Sequence, residues 1–165
     1  MKFISTPAYS RFDSPLGPML AAVTDQGLCG LWFDGQRHQP DMASWKPAPQ
    51  HPLLQQTAAF INAYFAGSTA RFTLTLDLTG GTPFQQAVWQ ALLQIPRGAS
   101  TSYGALSQSL GRPSAVRAVA GAVGRNPVTV LVPCHRVLGM DGSLTGYAGG
   151  LERKTALLQL EGVLI

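Results

Sequence analysis

Cys134, His135 and Arg136 stand side by side behind Pro133. A thiol, an imidazole and a guanidinium in one run can supply a nucleophile, its base and a fixed positive charge. A free thiol, with a pKa near ~8.5, is only a few per cent thiolate at neutral pH, so a reactive cysteine needs activation. Cationic neighbours favour the thiolate, and His135 and Arg136 are both able to provide that charge. The commoner fate of a cysteine is a small buried hydrophobe; the two neighbours turn the reading toward reactivity. Adjacent residues on an extended chain face opposite ways. Proton exchange between Cys134 and His135 therefore requires a turn at Pro133-Cys134 or a bridging water. Glu161 is a candidate third member, an acid that could orient His135. Its negative charge at a helix C-terminus opposes the helix dipole, which hints at a purpose other than solubility.

The elements around these residues must fix where the sulfur points. Asn126-Pro127 marks a turn, because proline keeps the preceding residue out of helical angles. Val128 to Val132 is rich in β-branched residues and predicts a short buried strand that Pro133 ends. Upstream, Thr82 caps a helix with Pro83 in its first turn. Its apolar face is Phe84, Val88, Ala91, Leu92 and Ile95, and Pro96-Arg97-Gly98 stops it. Ser102 caps a second helix carrying Tyr103 and Leu106 and ending near Leu110-Gly111. A third helix runs from Ser114 to Gly124. It is built of alanine, valine and glycine, with only Arg117 and Arg125 charged. Two short helices joined through a glycine turn predict a helix-turn-helix. Downstream, Asp141-Gly142 signals a hairpin. Leu144 to Gly150 is a glycine-rich loop around Tyr147 that suits a pocket wall, and Leu151 to Leu160 is a final helix carrying Lys154. The loop lacks the residues of a phosphate-binding loop, which excludes that mode of nucleotide binding.

The first 80 residues predict a small α/β domain, with the boundary at Thr79-Gly80-Gly81, followed by a helical domain over 81–165. Ala8 to Asp13, Gly17 to Thr24 and Leu28 to Phe33 read as strands, and residues 34–52 as a long loop in which His38 and His51 are solvated. Leu54, Ala58, Ile61 and Phe65 form a helical stripe ended by Gly67. Phe72, Leu74 and Leu76 alternate with threonines and predict a further strand. Cys29 reads as a structural thiol.

The net charge of +4 is distributed unevenly. The first 82 residues balance five basic against five acidic side chains. The remainder holds seven basic against three acidic ones. Between Asp77 and Asp141 there are five arginines and no acid. Such a one-sided field suits a polyanion, and arginine rather than lysine suits phosphate binding and stacking. A lone long arginine on a helix of small residues could enter a groove or a base stack. No apolar run is long enough to span a bilayer, Met1 to Ser5 lacks a signal-peptide core, and the two cysteines lie far apart in sequence. These features predict a cytoplasmic protein without disulfide, membrane association or zinc site.

The second half, from Thr82-Pro83-Phe84-Gln85 to Glu161-Gly162, resembles the O6-alkylguanine-DNA alkyltransferases (methylated-DNA–protein-cysteine methyltransferases). The motifs that carry the resemblance are Ile95-Pro96-Arg97-Gly98, Ser102-Tyr103-Gly104, Arg117-Ala118-Val119, Asn126-Pro127, Pro133-Cys134-His135-Arg136-Val137 and Gly146-Tyr147-Ala148-Gly149-Gly150. The first half resembles the family's ribonuclease-H-like domain more loosely. The resemblance implies an α+β chain: that small domain, then a mostly helical, winged-helix-like DNA-binding domain. It implies transfer of an alkyl group from O6-alkylguanine, and from O4-alkylthymine, in duplex DNA to Cys134, once per molecule, after the base is flipped out. His135 would be a water-mediated base supported by Glu161, and Asn126 would brace the turn before the active site. Arg117 would fill the gap left by the flipped base and Tyr103 would press on its phosphate, with Ser102, Ala118 and Arg125 on the same DNA-facing side. The backbone at Cys134 and Val137, with Tyr147, Ala148, Gly149 and Lys154, would form the base pocket. Ala148 stands where some relatives carry serine and Ala120 where some carry glycine. No metal or organic cofactor is implied, and a monomer is expected.

Two other readings fit parts of the sequence. A cysteine hydrolase would use Cys134 and His135 but leave the arginine-rich helices unexplained. A non-catalytic DNA-binding regulator would use the helices and leave Cys134-His135 idle.

Overall fold

The computed structural model describes residues 1–164. The chain forms two compact units, Met1–Gly81 and Thr82–Ile165.

In the first unit, strands β1 (Ala8–Phe12), β2 (Met19–Thr24), β3 (Gly27–Phe33) and β4 (Lys46–Pro47) form one sheet in the order β3-β2-β1-β4. β1 and β2 are antiparallel with Ala8 opposite Val23, and the turn between them closes through Ser14 and Gly17. Every residue of β3 is buried, as its unbroken apolar run requires. Leu20, Ala22, Cys29, Trp32 and Trp45 make one core cluster. Gly30 is obligatory there, because a Cβ would stand 1.9 Å from the Trp32 ring. Helix α1 (Pro52–Phe65) packs on the sheet. Its buried stripe is Leu54, Thr57, Ile61 and Tyr64, so Ala58 and Phe65 lie at the edge of the expected face rather than on it. His51, expected in solvent, caps this helix by accepting from Leu53 N at 3.1 Å.

Phe72 to Leu76 does not form the expected strand. It makes one bridge, Leu28 to Leu76, with Leu28 N donating to Thr75 O and Asp77 N to Leu28 O. Just past the bridge, the buried Asp77 carboxylate takes hydrogen bonds from Thr24 Oγ1, Thr79 Oγ1 and Thr79 N, and the chain turns there. Burial pushes the Asp77 carboxyl up, but those bonds outweigh it and hold the group below its usual range.

Burial, with help from the Asp77 charge, pushes the Cys29 thiol from 9.0 up to about 12. The unfolded chain releases this proton first, so the stability it represents is present below pH 9 and lost as pH rises toward 12. Cys29→Ala should therefore flatten the alkaline fall in the urea midpoint over that window. The wild-type excess should be at most on the order of 4 kcal/mol. Parallel profiles for the two proteins would contradict this assignment.

In the second unit, α2 (Pro83–Leu92) opens with a complete capping box between Thr82 and Gln85. It stops at Leu92, so Ile95 lies in the following turn rather than on the helix. β5 (Thr101–Ser102) leads into α3 (Tyr103–Ser109), whose first turn is capped by Ser102 Oγ accepting from Ala105 N at 3.0 Å. α4 (Val116–Gly124) starts two residues later than expected, at a cap, Ala115, that offers no side-chain bond. Buried Trp89 donates to Ala122 O at 2.8 Å and fixes α2 against α4. The α3–α4 pair is the helix-turn-helix. β6 (Val137–Leu138) pairs in parallel with β5, and α5 (Leu151–Leu160) closes the unit. No helix among the described residues is long and apolar enough to cross a membrane.

Candidate active site

The predicted strand at Val128–Val132 is a closed loop. Asn126 makes it so. Its Oδ1 accepts from Val128 N at 2.9 Å and its Nδ2 donates to Val132 O at 2.7 Å, so one buried side chain spans the segment. Inside it, Val132 N donates to Val128 O, and Leu131 N donates to Thr129 O across Val130, which sits at φ 71°. A positive φ on a buried β-branched residue is strained backbone. Cys134 N donates to Val132 O at 2.8 Å across Pro133, a second tight turn of the relaxed kind. Cys134, His135 and Arg136 then form a single 3-10 turn, so the sulfur and the imidazole are not forced to opposite faces as on a strand.

His135 has no exposed surface. Its Nε2 lies 2.9 Å from Glu161 Oε2, whose side chain is also fully buried. Burial lowers the His135 pKa; the Arg136 and Lys154 charges add to this, and Glu161 opposes it without prevailing. A neutral ring next to a carboxylate must carry its proton on Nε2 and donate it. The Nδ1 lone pair is then the basic site. It is buried and has no hydrogen-bond partner among the described residues.

Arg136 does not serve the thiol as expected. Its Nε and Nη2 clamp both oxygens of Glu161, at 2.7 and 2.8 Å, and its Nη1 donates to Ile95 O at 2.6 Å. This bidentate pair neutralises the acid at the end of α5. The cation that acts on the sulfur is Lys154. Burial pushes the Cys134 thiol up; Asn126, Lys154 and Thr129 pull it down but do not overcome the burial. Cys134 is thus a protonated thiol at rest, surrounded by groups that favour the thiolate once its proton leaves.

Lys154 is fully buried and donates to three carbonyls, Val137 O at 2.6 Å, Thr145 O at 3.0 Å and Gly146 O at 3.1 Å. Burial pushes its pKa down to about 8, against the raising effect of Cys134. It ties β6 to the glycine-rich loop. Tyr103 Oη donates to Thr145 O at 3.1 Å, and the Lys154 ammonium lies 5.9 Å from the Tyr103 ring. Burial, and then Cys134, raise the Tyr103 phenol. Tyr103 thus lies against the glycine-rich loop at Thr145. Tyr147 Oη lies 2.7 Å from Thr129 Oγ1. Gly149 is buried and Ala148 half-buried beside them.

Cys134, His135, Glu161, Asn126, Val137, Tyr147, Tyr103 and Lys154 thus lie in one bonded cluster. Arg117, Ala118 and Arg125 do not belong to it: all three are exposed on or just after α4. The Arg117 guanidinium makes no hydrogen bond or ion pair with any described residue, whereas Arg125 curls back to Gly121 O at 3.5 Å. Ser102 is used as the α3 cap. Thr129 was missed by the sequence reading; its one signal is a hydroxyl inside an otherwise apolar run. Among the described residues no three His, Cys, Asp or Glu side chains could hold a metal ion.

A cysteine–histidine–glutamate cluster beside an arginine-bearing helix-turn-helix defines a protein with a thiol nucleophile and a nucleic-acid-binding scaffold. Comparison with known proteins narrows this. Residues 83–163 match the 6-O-methylguanine DNA methyltransferase DNA-binding domain, and residues 8–78 the ribonuclease-like domain of the same family. A methylated-DNA–protein-cysteine methyltransferase of Mycobacterium tuberculosis is 46% identical, over 93% of this chain and 91% of its own. One from Haemophilus influenzae is 39% identical, over 94% and 86%. A crystal structure of Mycobacterium tuberculosis OGT in complex with DNA superposes with a TM-score of 0.86 at 45% identity, covering 93% of this chain and 92% of the other. The chain belongs to the 6-O-methylguanine DNA methyltransferase family.

Proposed function

We propose that the protein repairs duplex DNA by direct reversal, moving the alkyl group of O6-alkylguanine onto Cys134 in a single irreversible turnover. O4-alkylthymine, which presents the same alkyl–oxygen bond, is a second substrate. The observation that carries this reading is the buried Cys134 beside the His135–Glu161 pair. The arrangement suits attack at carbon by a soft nucleophile made only when needed.

The alkylated oxygen is unreachable in a stacked duplex, so the base must leave the stack at a cost of a few kcal/mol. Arg117, long, exposed and without a hydrogen bond or ion pair to any described residue, fills the gap. Ala118 gives the helix the close approach that a bulkier residue would prevent, and Arg125 and Ser102 flank it. The flipped base enters between Tyr103, Tyr147 and the loop at Ala148 and Gly149. The Cys134 and Val137 backbone lines the same pocket, and Lys154 holds its wall. His135 Nδ1 takes the thiol proton through a water, and Glu161 balances the imidazolium that forms. The S–C bond forms as the C–O bond breaks. The guanine oxygen receives a hydrogen bond from Tyr147, and the proton held by His135 restores neutral guanine. The thioether left on Cys134 has no hydrolysable bond. The protein acts as a monomer in the cytoplasm, where two free thiols persist.

Intact mass after incubation with a duplex containing one O6-methylguanine tests the reading. One methyl should be gained per molecule, mapped to Cys134, with none on Cys134→Ala. A protein that binds the duplex but gains no mass is a DNA-binding regulator; one that processes many substrates per molecule is a hydrolase.

A further inference from the structure

Glu161 ends α5, where the helix carbonyls already present negative charge, and its side chain has no exposed surface. A carboxylate in that place must be balanced by a cation or take up a proton. Arg136 and His135 both reach it. Arg136, largely buried, holds Oε1 through Nε at 2.7 Å and Oε2 through Nη2 at 2.8 Å. His135 Nε2 lies 2.9 Å from the same Oε2. One carboxylate oxygen thus serves a guanidinium and an imidazole at once. The guanidinium keeps its charge at any pH a protein survives, whereas the imidazole gains and loses its own. The remaining fork nitrogen, Nη1, donates to Ile95 O at 2.6 Å. Arg136 therefore ties the catalytic turn to the end of α5 and to the turn after α2. The other charged or titratable groups on this side are Cys134, Lys154, which donates to its three carbonyls, and Arg97, whose Nη2 donates to Leu160 O at 3.3 Å.

Building on the alkyl-acceptor reading, we propose that Arg136 is a positioning residue: its planar fork aims Glu161 Oε2 at the imidazole, and its fixed charge balances the carboxylate, so that His135 is left free to receive the thiol proton. Without the guanidinium, a buried carboxylate beside an imidazole draws a proton from solvent onto the pair. An imidazole already protonated on both nitrogens has no lone pair to offer. With the guanidinium in place, the resting charges of Arg136 and Glu161 cancel, and His135 carries its proton on Nε2 alone. The thiol proton then passes to Nδ1 as the S–C bond forms and the C–O bond breaks, and Arg136 stays protonated throughout. Burial does most to lower the His135 pKa; Glu161 opposes it, and the Arg136 charge sides with burial. Lysine is only a partial substitute, because a point charge keeps the balance but loses the two-bond aim.

Arg136→Met removes both charge and fork at similar length, and Arg136→Lys keeps the charge alone. Two readouts separate the two halves of the role. The first is the titration of the His135 ring, followed by nitrogen-15 NMR on the protein without DNA. The second is the pH profile of single-turnover methyl transfer from a duplex carrying one O6-methylguanine. Arg136→Met should raise the His135 midpoint and the acid limb of the rate together, by about one pH unit. Transfer well below the limb then falls about tenfold beyond any loss on the plateau. Arg136→Lys should leave both midpoints near their wild-type positions and lower the plateau by about tenfold, through loss of the aim. Glu161→Gln in the Arg136→Met background should lower both midpoints by more than it does alone, because there it removes an unbalanced charge. Midpoints unmoved in Arg136→Met would overturn the proposal, as would a lysine variant whose midpoints rise as far as those of the methionine variant. Should Arg136→Met fail to fold, Arg136→Lys decides alone, and a plateau equal to wild type overturns the proposal. A wild-type protein whose His135 titrates as expected but which gains no methyl from DNA would overturn the alkyl-acceptor reading instead.

Discussion

Glu161→Gln will slow methyl transfer by about 10²–10³-fold while leaving DNA affinity nearly unchanged. The substitution keeps the volume of a fully buried side chain and removes only its charge. Arg136 loses its counter-ion, and neutral His135 loses the carboxylate that accepts its Nε2 proton. Arg136, 12% exposed at its side chain, loses a bidentate partner. His135 loses the group that stabilises its protonated form, the form it must adopt as the thiol gives up its proton. Breaking a buried pair from one side costs about 3–5 kcal/mol, so the melting temperature will also fall. The pH profile separates catalysis from instability. Protonated His135 cannot accept a proton, so the wild-type rate falls with acid. Glu161 raises the His135 pKa; without it that acid limb should move to lower pH although the plateau is lower. A variant that is less stable but transfers at the wild-type rate with an unmoved limb would reduce Glu161 to a structural acid.

Arg117→Ala should produce the second large effect, confined to duplex substrates. The side chain is exposed and makes no hydrogen bond or ion pair with a described residue, so its loss should leave the fold intact. Its removal leaves the extrahelical base uncompensated, which should lower duplex transfer by about 10²-fold if a few kcal/mol of flipping energy is at stake. Transfer from the free O6-alkylguanine base, which involves no flipping, should fall far less. Equal losses on the two substrates would place Arg117 in the chemistry of the pocket instead of the stack.

The helices were legible because their ends are written locally. Thr82 with Gln85 and Ser102 with Ala105 each satisfy a cap within three residues, and the apolar faces follow from spacing alone. Cys134, His135 and Glu161 were legible as types of residue with matching chemistry. The pairing inside the site was not. Val128–Val132 has the composition of a strand, yet the Asn126 amide reaches six residues along and folds it into a loop; propensity does not register a side chain that replaces backbone pairing. Arg136 adjoins the thiol in sequence, but its guanidinium reaches Glu161, 25 residues away, while Lys154, 20 residues further along than Cys134, acts on the sulfur. Phe72–Leu76 has the alternation of a strand, yet its pairing is confined to the single bridge between Leu76 and Leu28.

The pairing of His135 with Glu161 across 26 residues also has a temporal meaning. At about 5–20 residues per second, the ribosome releases His135 a few seconds before the acid that completes it, and Lys154 arrives in between. Until α5 docks, the cysteine lies outside the buried cluster that sets its proton transfer, and it reacts as an ordinary thiol. A newly made chain therefore cannot spend its one alkylation efficiently before it is whole, and a fragment cut off ahead of α5 keeps the cysteine but loses the device that arms it.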